Sequence, residues 1–118
     1  MPHGKITTVL AIVFIFLFSP RAGFAYPVHG VGTSSCAEFA KMYQGDPEIS
    51  ERVFFSWAQG FMSGLNLGAK ANNKQMRDLA GIVDDQKRAL RAYCANNPLK
   101  SYMDAVIGYY AQLPVSPP

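Results

Sequence analysis

The chain has 118 residues, 49% hydrophobic and 16% charged, with eleven basic and eight acidic side chains for a formal charge of +3. Two of the basic residues, Lys5 and Arg21, fall in an amino-terminal stretch that does not read as part of a fold; without them nine basic residues face eight acidic ones. That near-neutral balance gives no argument for a cationic patch, so neither a nucleic acid nor an anionic membrane surface is expected as a partner.

Residues 1–25 have the three-part layout of an export signal. A short polar start carries His3 and Lys5, and the ten residues from Val9 to Phe18 have no polar side chain. Pro20 and Arg21 interrupt the run, and Gly23-Phe24-Ala25 places small residues at the −3 and −1 positions of a signal-peptidase site. The apolar run is half of the roughly 20 residues that span a hydrocarbon core. Cleavage after Ala25 is therefore expected, with a periplasmic or secreted product that keeps no membrane attachment. The remaining 93 of the 118 residues begin at Tyr26. A domain of that size buries only roughly 60–65% of its unfolded surface, so a covalent staple is useful to it.

Two cysteines remain, Cys36 and Cys94. In an oxidising compartment they are expected to form the single disulfide that two cysteines allow. Metal binding or redox catalysis is poorly supplied, because the chain has no C-x-x-C and His29 is the one histidine after the signal.

Residues 26–34 hold Pro27, Gly30 and Gly32 and read as a flexible lead to a helical domain over 35–113, with a short tail over 114–118. Ser35-Cys36-Ala37-Glu38 has the form of a capping box. Cys36, Phe39, Ala40 and Tyr43 follow at helical spacing, which predicts a first helix over about 36–44, ended by Gly45. Asp46-Pro47 restarts a helix, with Asp46 as N-cap and Pro47 at the first helical position. Ile49, Val53, Trp57, Phe61 and Leu65 recur every four residues along it and predict a wide apolar face, flanked by Phe54, Ala58 and Met62.

Beside that face runs a row of small residues, Ser56, Gly60, Gly64 and Gly68. Each helical glycine costs roughly 1 kcal/mol relative to alanine, so the row calls for close packing by another backbone or by an apolar partner. The same spacing serves membrane helix dimers, but Gln59, Asn66 and the flanking charges argue against a span. Asn66 to Asn73 reads as a loop. Met76, Leu79, Ala80, Val83, Leu90, Tyr93 and Cys94 keep a helical period over 74–95, as one helix or as two divided near Gly81 and Asp84-Asp85, where one of the acids would be an N-cap. Asn97-Pro98 repeats the cap-plus-proline signal before a last helix on Leu99, Tyr102, Met103, Val106, Ile107, Tyr110 and Leu113, stopped by Pro114. No segment alternates with period two. The expected fold is all-α, a small single-domain bundle of four to five helices closed by one disulfide.

Catalysis needs converging polar groups, and few are offered. His29 lies in the lead, Ser56 and Ser63 have no local partner, and Gly60 and Gly64 sit within an amphipathic helix rather than in a phosphate-binding loop. Neither an enzyme nor a cofactor or metal is expected. The aromatic residues are more telling: most fall on the expected buried stripes, whereas Phe55 and Tyr109 fall off them. Phe55, Trp57, Phe61, Met62 and Tyr109 are the candidate residues for a partner, client or dimer surface.

Cys36-Ala37-Glu38-Phe39 resembles the Cys-x-acidic-Phe opening of the small periplasmic acid-stress chaperones HdeA and HdeB. Cys94 followed by Tyr102, Asp104, Val106 and Gly108 is similar in spacing to that family's last helix. The resemblance covers both ends of the domain and is thin between them. It implies the Cys36–Cys94 pairing, and a dimer that is inactive at neutral pH, loosens in acid and then binds unfolding proteins. Trp57-Ala58-Gln59-Gly60-Phe61-Met62-Ser63-Gly64-Leu65-Asn66 departs from the enteric chaperones and is similar to the Tai-type immunity proteins of type VI secretion, also small exported helical disulfide proteins. That second likeness implies one specific protein partner instead.

Overall fold

The computed structural model describes residues 28–118, so the expected export signal and its cleavage after Ala25 lie outside the described residues. Four helices fill this range: α1 (Cys36–Gly45), α2 (Pro47–Ala71), α3 (Val83–Asn96) and α4 (Tyr102–Gln112), preceded by one 3-10 turn at Val31–Thr33. The described residues contain no β-strand, only two isolated antiparallel bridges. The fold class is all-α, as expected, and Cys36 and Cys94 form a disulfide with their Cα atoms 4.7 Å apart.

Local chemistry sets the helix starts. At α1 the Ser35 hydroxyl accepts from the Glu38 amide at 3.1 Å while the Glu38 carboxylate accepts from the Ser35 amide at 2.7 Å. This capping box satisfies two groups that helix geometry leaves orphaned. Asp46 serves two helices at once. Its amide donates to Met42 O at 2.9 Å to close α1, and its carboxylate accepts from the Ile49 amide at 3.0 Å to open α2.

The last helix departs from the sequence reading. Asn97-Pro98 does not start it; α4 begins at Tyr102 behind a second capping box, Ser101 with Asp104, and Leu99 stands 96% exposed outside it. The reason lies in α1. Its first two amides lack partners within their own helix, and the 98–100 turn supplies them: Cys36 N donates to Lys100 O at 2.7 Å and Ala37 N to Pro98 O at 3.1 Å. The Tyr102 amide in turn donates to Ser34 O at 2.9 Å. The starts of α1 and α4 are thereby clipped together beside the disulfide.

Two further expectations are corrected. The Asn66–Asn73 loop is mostly helix, since α2 continues to Ala71. The stretch 74–95 is neither one helix nor two: residues 72–82 are non-helical and α3 starts at Val83, with Ile82 rather than Asp84 or Asp85 at the N-cap. The acids sit in the first turn, where the positive end of the helix dipole favours them. The 114–118 tail is held as well, because Asp78 N donates to Pro114 O and Ser116 N to Met76 O, both at 2.8 Å.

Asn66 organises this end of the molecule. Its carboxamide donates to Arg77 O at 2.9 Å and accepts from Arg77 N at 2.8 Å and from the Tyr110 hydroxyl at 2.7 Å. The Arg77 guanidinium then donates to Leu113 O at 2.9 Å. One side chain on α2 thus fixes the 72–82 segment and α4 together. Asn66→Ala strands both backbone groups of Arg77 in a part-buried site, and a loss of about 2 kcal/mol is expected in urea denaturation. Amide hydrogen exchange should accelerate first over residues 76–79.

Candidate partner surface

The aromatic core decides which residues of α2 are left for a partner. Phe39 of α1, Phe54 of α2 and Tyr102 of α4 meet with ring centroids 4.8 to 5.0 Å apart, and Val106 and Leu90 close the cluster. α2 therefore buries Ser50 with Phe54, Ala58 and Met62, the flank of the expected wide face, and Phe55 beside them, while Trp57 and Phe61 of the expected central row are only partly buried against the core. Ile49 is 51% exposed and Val53 42%. Both rows recur every four residues, but only the buried one has small residues, Ser50 and Ala58, flanking a ring. The small residues allow the close approach that seats Phe39 and Tyr102 on Phe54.

This one-residue turn of the helix reassigns the candidate residues. Phe55 and Met62 are 4% and 2% exposed and belong to the core, which corrects their placement on a partner surface. Phe55 lies under the Lys87 ammonium, 5.5 Å from the ring centroid. Tyr109 packs half-buried on α4, and burial and the nearby Asp85 carboxylate raise its phenol pKa above the ordinary value. It is not among the residues around Trp57. Trp57 and Phe61 remain together at the core's edge, stacked with centroids 4.9 Å apart and planes 14° from parallel.

The small row is corrected too. Among the described residues no other element comes within 4 Å of where a Cβ would stand at Gly60, Gly64 or Gly68, and Ser56 is exposed. Nothing within the chain packs on them. Ser56, Gly60 and Gly64, without Gly68, floor an open groove of about 520 Å³ lined also by Trp57, Phe61 and Leu65 and walled by Val28 and His29. The whole run Val53–Ala69 carries no charged side chain. Charge depletion around the half-buried rings of Trp57 and Phe61 matches the composition of an interface centre.

The other wall of this groove is the lead, which is not free over its described part. It crosses Trp57 so closely that Gly32 is buried, and a Cβ there would overlap the six-membered ring. At Gly30 a Cβ would stand 3.0 Å from the indole, and φ is +96°, a conformation suited to glycine. The Trp57 indole N–H donates to His29 O at 2.9 Å.

A second depression, about 660 Å³, lies between α2 and α3. Glu51 pairs there with Arg91, their side chains 12% and 31% exposed, and the Arg91 guanidinium sits 5.3 Å from the Tyr43 ring centroid. The sequence held no local sign of this, because Glu51 and Arg91 are 40 residues apart. Among the described residues no three His, Cys, Asp or Glu side chains are placed to hold a metal ion, and no helix is long and apolar enough to cross a membrane.

Tyr102 is 1% exposed, and burial, reinforced by the negative charge of Glu51, raises its phenol pKa well above the ordinary value near 10. The fold thus favours the neutral phenol, while the unfolded chain ionises near 10. This contribution to stability is complete below pH 10 and is lost as pH rises beyond it, by up to about 1.4 kcal/mol per pH unit. Tyr102→Phe should accordingly flatten the alkaline limb of the stability profile between pH 10 and 11.5, read by circular dichroism in urea.

Compared with family models, with curated proteins and with solved structures, the chain matches none.

Proposed function

We propose that the chain is an exported stress chaperone of the HdeA/HdeB type, which holds unfolding proteins through the uncharged face of α2. The observation that carries this reading is the groove over Gly60 and Gly64. It is apolar, open, edged by the stacked Trp57 and Phe61, and unclaimed by any other helix of the described chain. Exposed apolar surface of this kind suits partners recognised by what they have in common, unburied hydrophobic segments. The sequence resemblance at both cysteines supports the same reading.

Acid gives the reading a trigger. At pH 2, below the ordinary carboxylate range near 4, the eight acidic side chains after Ala25 are neutral. Nine basic residues, His29 and a free amino terminus then carry about +11 with nothing opposing it. The disulfide and its clip keep α1, α3 and α4 joined while the apolar surface opens. Light scattering of an acid-denatured enzyme at pH 2–3 tests this: suppression of aggregation at a few-fold molar excess is expected, and none would reject the reading.

A second reading, an immunity protein or inhibitor with one tight partner, draws on the α2–α3 depression. Its ordered Glu51–Arg91–Tyr43 arrangement is the kind of polar surface a specific partner reads at neutral pH. Recovery of a single protein from periplasmic extract at pH 7, lost in Arg91→Ala, would favour it over the chaperone.

A further inference from the structure

The lead is built as if it occupied the place of something else. From Val28 to Ser34 it has no acidic or basic side chain apart from His29. It approaches the indole with glycines, at Gly30 and Gly32, and it offers one carbonyl, that of His29, to the Trp57 N–H. Val31 turns towards the core. Those are the features that a segment of unfolded protein would need on the same ring: no charge, small residues against the face, and a free backbone acceptor.

The strap is also poorly fastened. Among the described residues its side-chain tie to α2 is the single indole bond, and no ion pair holds it. Its other hydrogen bonds are internal, Thr33 N to Gly30 O at 3.1 Å and Ser34 N to Val31 O at 3.0 Å. The fixed point comes only at Ser34–Cys36, where Tyr102 N, Lys100 O and the disulfide take hold. Residues 28–33 make no hydrogen bond to α1, α3 or α4 among the described residues, so lifting them from Trp57 breaks the indole bond and the packing of Val31 and Gly32 but none of the bonds that clip α1 to α4.

We propose that residues 28–33 are an internal occupant of the Trp57 end of the client surface, displaced from that ring by an uncharged, extended apolar segment of a non-native protein. The proposal rests on the client-binding reading and adds its regulation. While the strap is down, a client meets only the fraction of molecules in which it has lifted, and its apparent affinity falls by that fraction. The strap's tethering gives it an effective concentration near the millimolar range, which a weak client does not overcome.

The test uses the processed chain at pH 7 and a fluorescein-labelled peptide with blocked ends that copies residues 28–33, followed by anisotropy. Gly32→Ala forces the strap off the ring and should bind the peptide at least tenfold more tightly than the unaltered chain. A peptide with lysine in place of both glycines should not bind. Gly30→Ala, which strains a positive φ and crowds the indole less, should give a smaller gain and stands in if Gly32→Ala does not fold. Equal binding by the unaltered chain and a folded glycine variant overturns the proposal. If the variants take up the peptide but no chain keeps an acid-denatured enzyme in solution, the strap stands and the chaperone reading falls. If all chains protect that enzyme equally and none differs in peptide binding, the chaperone reading stands and the strap falls.

Discussion

Replacing both cysteines, Cys36→Ala with Cys94→Ala, is expected to cost about 4 kcal/mol, the loop-closure entropy of positions 58 apart. Small domains are stable by about 5–15 kcal/mol in total, so the variant should retain a greatly reduced urea midpoint or no cooperative transition at all. The position of the bond adds to its weight. It joins the first turn of α1 to α3 directly beside the Lys100, Pro98 and Ser34 carbonyls that clip α1 to α4. Without it these backbone bonds must hold three helix ends unaided. Cys36 and Cys94 are 0% and 2% exposed, so a reductant reaches the sulfurs only when the fold opens. Reduction of the intact protein by dithiothreitol at pH 8 should accordingly be slow in buffer and fast in urea. An unchanged midpoint in the double variant would contradict the assignment of the disulfide as the main staple.

Phe54→Ala should cost about 4 kcal/mol, whereas Val53→Ala, one residue earlier, should cost well under 1 kcal/mol. Phe54 is 0% exposed and touches the rings of both Phe39 and Tyr102, so its removal leaves a cavity between three helices. Val53 is 42% exposed and loses little. Guanidinium melts of the two variants, with Ile49→Ala as a second surface control, decide between the two possible faces of α2. The reverse order of effects would restore the row that periodicity alone selects.

This pair of variants also marks how far the sequence could be read. Apolar residues stand at four-residue spacing in two adjacent rows of α2, and periodicity centres the apolar face on the five large residues with Phe54, Ala58 and Met62 as its flank. What turns the helix is the fit of Phe39 and Tyr102 against Phe54 beside small residues, and no window of local sequence contains all three rings. The same turn moved Phe55 and Met62 into the core and left the glycine row facing outward. The lead looked featureless because its glycines are read as flexibility; only their position over Trp57 shows that they are required by close approach.

By itself, the sequence determined the features whose causes lie within a few residues: the helical class, the capping box at Ser35 and Glu38, the shared cap at Asp46-Pro47, and a disulfide that two cysteines can make in one way only. Tertiary structure decided what depends on distant partners. It set the start of α4, because α1 needed the 98–100 carbonyls, and the non-helical course of 72–82, because Asn66 offers its backbone better-placed bonds. It also decided which side of α2 meets solvent. Local hydrogen bonds are encoded next to the groups they satisfy, while packing is a contest between surfaces that come together only once the chain has folded.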